Sequence, residues 1–538
     1  MSTDVAVKKV SVTIDDKKVE VTPDKTVFQA AVEAGIFVPH YCYHPDLSIA
    51  GVCRMCLVEV DNAPKLQISC NTPVRDGMVV RTSSDKARQA QKGSLELHLI
   101  NHPVDCPICD KAGECKLQDF YREFGLYKSR VELEDKVHKP KAKDIGTIVL
   151  DAERCILCTR CTRFTHEVTH TDELVIVNRG NRSELKTYDD GPLRNDYTGN
   201  LADICPVGAL TARDFRFQQR VWFLEKKNSV CTMCARGCNT TVSVNPKTKK
   251  LYRVEPRRNP EVNKSWICDT GRWRYHYVYG ESRLRTPEKI SDGRVLESTW
   301  HQAFGEMKRA LEDPSGIVIG LSTQLTNEEI LELVLSFKES GVKHFVRIVD
   351  EQVIEERSPW DGVLKHRDHT PNAEGFARMF SMMNTKFLDC AGLAALVGEG
   401  NLRHAWFFGL EGEDVSWASR FVEALPEGVS LTLHATSRLP IWERAQWLLP
   451  AASAFEKSGT MVNALGRLQR LQAAIPRVSL ARDGHAVAFG VQRGADRDAA
   501  PEARHVDLFE KLIAAPLLGR EQVWKKLDPM GVALKERS

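Results

Sequence analysis

Fifteen of the sixteen cysteines, joined by His102, sort by spacing into four sets of four potential metal ligands. The sets are Cys42, Cys53, Cys56 and Cys70; His102, Cys106, Cys109 and Cys115; Cys155, Cys158, Cys161 and Cys205; and Cys231, Cys234, Cys238 and Cys268. Thiolate and imidazole groups at such a pitch hold iron–sulfur clusters or zinc. Disulfides are the competing use. Sixteen cysteines in 538 residues fall far short of the roughly 8 per cent found in small disulfide scaffolds.

The third set carries the most distinctive spacing. Cys155, Cys158 and Cys161 have two residues between neighbours, and a Cys205-Pro206 pair follows after 43 intervening residues. Three thiolates at that pitch wrap one corner of a [4Fe-4S] cube and a distant Cys-Pro closes it, whereas zinc usually takes paired ligands from two hairpins. In a two-cluster ferredoxin the first run is followed by a Cys-Pro that serves the other cluster. Here that position is Thr165-His166, and the matching positions before Cys205 are Asn195, Thr198 and Leu201, so one cluster is lost from a two-cluster pattern.

The first set, with gaps of ten, two and thirteen residues, favours a [2Fe-2S] cluster, with Gly51 and Arg54-Met55 where the backbone must turn tightly around sulfide. In the second set His102 stands four residues before Cys106 and replaces a thiolate, leaving a [4Fe-4S] cluster less negative and easier to reduce. The fourth set suits a third [4Fe-4S] cluster, with zinc as a closer rival because its spacing is less distinctive. Cys390, in the apolar run Leu388 to Val397, reads as a core residue.

The elements that must carry these ligands are legible around them. Val10, Val12 and Ile14, a turn at Asp15-Asp16, then Val19 and Val21 predict a hairpin; Thr26 caps a helix that Gly35 ends. Residues 84–101 predict a helix with Ala87, Ala90, Leu95, Leu97 and Leu99 on its apolar side, and the charged segment Glu132 to Lys143 reads as a linker or surface strap. Beyond about residue 285 strands and helices alternate: Ile317 to Leu321, a helix opened by Thr326 and Glu329 and running to about Lys338, then Val342 to Val349. Ala405 to Phe408, a helix near Ser416 to Leu425, and Val429 to Leu433 repeat this βαβ theme, while residues 490–505 read as a loop or tail. Gly398-Glu399-Gly400 lacks the third glycine of a dinucleotide fingerprint and reads as a loop.

A net charge of +3 without a long basic block argues against a nucleic-acid or membrane-surface partner. Met1 to Val10 has no apolar core of a signal peptide, and no apolar run reaches the ~18 residues of a membrane span.

The N-terminal hairpin, helix and cysteine loop resemble the β-grasp fold of plant-type ferredoxins. Residues 41–60 (YCYHPDLSIAGVCRMCLVEV), 101–110 (NHPVDCPICD), 154–161 (RCILCTRC) and 203–210 (DICPVGAL) resemble the large iron–sulfur subunit of proton-translocating NADH:quinone oxidoreductase, the 75 kDa type of respiratory complex I. A weaker likeness runs through residues 449–450, 456–463 and 466–467, a motif shared with molybdopterin oxidoreductases. The resemblance implies a multidomain α+β and α/β chain: a [2Fe-2S] ferredoxin-like domain over 1–84, a [4Fe-4S] segment with one histidine and three cysteines over 85–130, a degenerate two-cluster ferredoxin-like domain over 145–220, a four-cysteine [4Fe-4S] module over 224–280, and a shortened, non-catalytic molybdopterin-oxidoreductase-like domain over 281–538.

It also implies a role. Electrons from NADH, oxidised in a flavoprotein partner, enter the Cys42 cluster, pass to the Cys155 cluster and then to the His102 cluster, and leave to quinone-side iron–sulfur subunits. The Cys231 cluster lies off this path. The chain then has no catalytic residue or NADH site of its own and sits peripherally on the cytoplasmic face of the inner membrane through its partners. Two other readings remain open at this level: an electron-transfer subunit of a soluble NAD-linked formate dehydrogenase or hydrogenase, and a zinc-stabilised interaction module.

Overall fold

The alternation at the N-terminus folds as a hairpin, Val10–Ile14 against Lys17–Val21. Asp15 and Asp16 supply the left-handed pair of a two-residue turn, with φ of 44° and 66°. The computed structural model describes residues 9–125, 128–349, 361–366, 369–412, 416–438, 441–493, 509 and 527–534. The chain divides into two units, Met1–Phe223 and Leu224–Ser538.

In the first unit Met78–Arg81 runs parallel to Val10–Ile14, and Leu57–Val60 and Gln67–Ile68 complete a five-stranded sheet. Helix Val27–Glu33 starts at Thr26, whose hydroxyl accepts from the Gln29 amide while the Gln29 side chain returns to the Thr26 amide. Such a cap is worth about 0.5–2 kcal/mol. The helix lays Val27, Phe28, Ala30 and Ala31 into the core of this sheet and ends before Gly35.

Helix Asp85–Leu99 forms where the periodicity places it, but with a different inner face. Ala87, Gln91, Ser94 and Leu95 are buried, and Leu97 is 71% exposed. Two polar residues hold the inner positions because they bond backbone: Gln91 donates to the carbonyls of Leu57 and Thr82, and Ser94 to that of Arg54. Leu97, two residues beyond Leu95, falls on the opposite side of a 3.6-residue turn. Residues 132–143 behave as a strap, tied by Val137 N–H to Asn101 Oδ1 at 3.1 Å and by His138 Nδ1 to Glu153 Oε1 at 2.6 Å.

Farther on, Ile148–Leu150 pairs antiparallel with Leu210–Ala212, so the two ends of a 60-residue excursion meet in one sheet. Helices Arg160–Glu167 and Asn200–Ile204 and the hairpin Leu174–Val177 with Glu184–Thr187 lie within it.

The second unit opens with three antiparallel strands, Glu225–Val230, Asn239–Val244 and Leu251–Pro256. Its larger sheet has the order Arg294–Glu297, Glu288–Ser291, Trp447–Pro450, Ser430–Ala435, His404–Leu410, Ile317–Ser322, His344–Ile348. The last five are parallel. Ile317, Ile319, Leu321, Trp406 and Phe408 fill the core on one face, and Val318, Phe407, Leu431 and Leu433 the other. A sheet covered on both faces requires such runs. The βαβ units stand as read, with helices Asn327–Glu339 and Ser416–Glu423 between strands.

Three expectations change here. Residues 490–493 belong to helix Gly484–Arg493, where Val491 packs into the core, and 494–505 lie outside the described residues. Gly398 closes helix Cys390–Gly398, so the turn involves only the residues after it. Cys390 is half-buried at that helix's first turn, at the edge of the core, because Leu393 and Leu396 take its inner face.

The capping box at Thr326 and Glu329 has a second use. Glu329 bonds the Thr326 amide at 2.8 Å, accepts from Gly484 N–H at 2.9 Å and pairs with the buried Lys457 at 3.2 Å. Burial alone raises a carboxylate's pKa, but Lys457 and His485 pull Glu329 down to about 2. Its neighbour Glu328 accepts from the amide and hydroxyl of Thr460, both at 2.7 Å, and burial pushes it up to about 7. A carboxyl raised in the folded state stabilises fully below its unfolded pKa, and that contribution is lost as pH rises through the folded value. The full chain should therefore lose stability between about pH 4.5 and 7, with Glu328→Gln flattening this slope. Urea midpoints across that range test it, and identical slopes in parent and variant would refute it.

Candidate metal centres

Each cysteine set is drawn together, and each by a different local device. The first lies in loops between sheet strands, where Gly51 and Arg54 turn with φ of 62° and 58°, as the sequence required. Cys42 is hydrogen-bonded to Cys53 and Cys70, and Cys56 to Cys70. Backbone N–H groups of Tyr41 and Cys42 point at Cys53 Sγ from 3.4 and 3.5 Å. Hydrogen bonds from Cys42 and burial hold the Cys53 and Cys70 thiols high.

In the second set a short turn closes Cys106 to Cys109, and Cys115 stands at the start of helix Lys116–Phe124 with Cys109 among its electrostatic neighbours. His102 is brought close to Asp105, Arg154, Lys136 and Glu153, and the three thiols are not among its main electrostatic partners. Its Nδ1 is buried without a hydrogen-bond partner, and burial lowers its pKa to about 4. A neutral imidazole with an unused ring nitrogen is what a metal ligand requires.

In the third set Cys161 faces Cys155, Cys158 and Cys205 together. Left-handed Leu157 and Thr159, φ 55° and 62°, wind the loop, and Leu157 N–H points at Cys155 Sγ from 3.3 Å. Helix Asn200–Ile204 presents Cys205. The positions left without thiols serve the fold: Asn195 bonds Glu173 and the Tyr197 amide, and Thr198 and Leu201 are buried. In the fourth set Cys231 and Cys238 flank the turn between Glu225–Val230 and Asn239–Val244, joined by Cys231 N–H to Cys238 O at 2.8 Å. Cys238 faces Cys231, Cys234 and Cys268, and Cys268 caps helix Asp269–Trp273.

The donor sets fit anionic clusters. Burial first, then neighbouring thiols, pushes Cys155 and Cys268 to about 12 and Cys158 to about 11. Such thiols surrender their protons only to a bound cation or cluster. All four sets have basic company: Arg160 near Cys42 and Cys158, Arg163 near Cys158, Arg154 near Cys109, Lys111 near Cys115, Arg236 near Cys238 and Lys365 near Cys268. A Cβ on Gly208 would stand 2.3 Å from Cys109 Sγ and one on Gly271 2.9 Å from Cys231 Sγ, so backbone closes directly on these sulfurs. Among the described residues no three His, Cys, Asp or Glu side chains converge as the ligands of one ion would. A cluster spreads its ligands over two or four irons and asks for a looser gathering.

Basic side chains join the first unit's three sets in pairs, which spacing alone did not indicate. Lys116 Nζ, beside Cys115, meets His40 Nε2 at 3.1 Å, two residues before Cys42. Arg154, beside Cys155, forks onto Asp105, beside Cys106, at 2.6 and 3.1 Å. Arg160 and Arg163 reach back to the loop of Cys42. The available signal was a basic residue directly next to a ligand, as in Arg154-Cys155 and Arg160-Cys161.

Four family models match the chain. They are a 2Fe-2S iron-sulfur cluster binding domain at 7–85, an NADH-ubiquinone oxidoreductase-G iron-sulfur binding region at 91–130, the ferredoxin-like domain of NADH-quinone oxidoreductase subunit 3 at 146–211, and an NDSU1/NuoG-like 4Fe-4S domain at 224–276. The chain is similar to NADH-quinone oxidoreductase large iron–sulfur subunits. NADH-quinone oxidoreductase subunit 3 of Thermus thermophilus is 39% identical over 58% of this chain and 44% of its own length. The NADH-ubiquinone oxidoreductase 75 kDa subunit of Reclinomonas americana is 39% identical over 61% of this chain and 47% of its own. The matches thus span less than half the length of each relative. A solved chain from an NAD+-reducing [NiFe]-hydrogenase in the H2-reduced state shares 30% identity over 39% of this chain and 91% of that one, with a TM-score of 0.36. An N-terminal 2Fe-2S domain followed by 4Fe-4S regions is therefore shared with this family. Among the described residues no helix is long and apolar enough to cross a membrane.

Proposed function

We propose that the chain is an electron-transfer subunit of an NADH:quinone oxidoreductase, receiving electrons from a flavoprotein partner and delivering them to quinone-side iron–sulfur partners. The observation that carries this reading is the gathering of the cysteines of all four sets inside regions that match iron–sulfur models, three of them models of that enzyme. Cys42, Cys53, Cys56 and Cys70 would hold one [2Fe-2S] cluster. His102 with Cys106, Cys109 and Cys115, the Cys155 set and the Cys231 set would hold three [4Fe-4S] clusters. Once bound, such clusters supply reversible one-electron chemistry.

The residues around them do the rest. Buried thiols and close-packed backbone exclude water, amide groups on Cys53, Cys155 and Cys268 stabilise charge on sulfur, and adjacent Lys and Arg offset it. The finer architecture follows the same reading: a β-grasp module over 1–84, a segment of one histidine and three cysteines over 85–130, a two-cluster ferredoxin fold reduced to one set over 145–220, a four-cysteine module over 224–280, and a non-catalytic molybdopterin-oxidoreductase-like region over 281–538. Membrane attachment, on the cytoplasmic face, runs through the partners.

Anaerobic purification with iron and sulfide analysis and low-temperature EPR tests this. One binuclear and three cubane centres are expected. A zinc-loaded, iron-free protein would defeat it.

A further inference from the structure

Arg160 opens helix Arg160–Glu167, and its side chain crosses from the third ligand set to the first. One Nη donates to the carbonyl of Ile204 at 3.0 Å, next to Cys205, and the other to that of Tyr43 at 2.5 Å, next to Cys42. The residue is 6% exposed and its Nε is buried without a hydrogen-bond partner. Among the described residues no carboxylate forms an ion pair with it, and the groups of opposite sign that face it are the thiols of Cys158, Cys205 and Cys42. A guanidinium is too costly to bury without an anion. The anions that offset its burial must therefore come from the two ligand sets it spans.

We propose that Arg160 is a positioning residue that places one permanent positive charge between the first and third centres, favours the reduced form of both, and ties their loops at a fixed separation. This rests on the iron–sulfur reading above. Each reduction adds one electron to a centre, and Arg160 neither gains nor loses a proton or a bond. Arg163 is a second bridge: it donates to the Cys42 carbonyl at 2.6 Å and to that of Ser48, and its Nε donates to the carbonyl and hydroxyl of Thr159, beside Cys158, at 3.2 Å.

The test is an anaerobic redox titration of the cluster-loaded full chain, read by EPR, with dithionite as reductant. In Arg160→Gln the ratio of reduced to oxidised form at a fixed potential should fall about tenfold for both centres, equivalent to ~59 mV for one-electron couples. Arg160→Lys should keep both ratios within about threefold of the parent, since the charge remains. Both centres titrating as in the parent in Arg160→Gln, or only one of them moving, overturns the proposal. A parent without clusters overturns the functional reading instead. Where Arg160→Gln fails to assemble, pulsed EPR of parent and Arg160→Lys, each grown with 15N-arginine, decides. The parent should show one arginine nitrogen coupling more than the lysine variant, in which Arg54, Arg154 and Arg163 beside the same ligands stay labelled, and identical spectra overturn the proposal.

Discussion

Gly208→Ala should cost the proposed second centre its Cys109 ligand. The added methyl would lie 2.3 Å from Cys109 Sγ, with Arg154 Cδ at 3.4 Å and Lys111 Cβ at 3.5 Å on its other sides. Carbon and sulfur rest near ~4 Å, so the thiol must retreat by more than an ångström. It is buried and has little room to do so. Overpacking of this kind costs about 1–3 kcal/mol in an apolar core, and a ligand constellation tolerates displacements of only about 0.5 Å. The expected result is loss of the EPR signal of the His102 set with the third set retained. Gly93 is the control: a Cβ there meets nothing within 4 Å, and Gly93→Ala in a helix interior should be neutral or stabilising by about 0.5–1 kcal/mol. A Gly208→Ala protein with full iron and an unchanged second signal would rule out the close packing described.

Glu456→Ala should destabilise the second unit by about 3–5 kcal/mol, the usual result of stranding one member of a buried ion pair. The side chains of Arg283 and Glu456 are both 0% exposed and meet at 2.8 Å. Glu456 also accepts from the amides of Ser453, at 2.7 Å, and Val478, so truncation leaves a guanidinium and two N–H groups unpaired. Arg283 retains only carbonyl partners, Thr436 at 2.6 Å and Leu284 at 3.2 Å. The check is a guanidinium chloride midpoint read by tryptophan fluorescence. A midpoint equal to that of the parent would show that the pair carries no such load. Glu456→Gln, which keeps an acceptor, should lose less.

These two sites mark the boundary of what the sequence made legible. The grouping of the cysteines was readable because thiols at short fixed intervals are a local pattern, and the hairpin at Asp15-Asp16 and the cap at Thr326 are local for the same reason. Partners far apart in sequence were not readable. Arg160 meets Tyr43 across 117 residues, and Arg283 meets Glu456 across 173. The apolar-face reading of helix Asp85–Leu99 failed at Leu97 because a hydrophobicity count cannot anticipate Gln91 and Ser94 being satisfied inside by bonds to backbone. Glu456 and Lys457 stood out only as part of a shared motif; in the fold both are internal struts, Lys457 to Glu329 and Glu456 to Arg283.

The excursion that separates Cys161 from Cys205 has a consequence in chain entropy. Bringing a distant ligand home costs free energy that grows only with the logarithm of the intervening length, about 0.6 kcal/mol per doubling. The 43-residue gap of the third set is thus only about 0.3 kcal/mol harder to close than the 29-residue gap before Cys268. The hairpin Leu174–Val177 with Glu184–Thr187 rides on that excursion, anchored where Ile148–Leu150 meets Leu210–Ala212. The length between those anchors is nearly free to vary, so this is the place where the chain can change its outer contour without disturbing the four thiols it encloses.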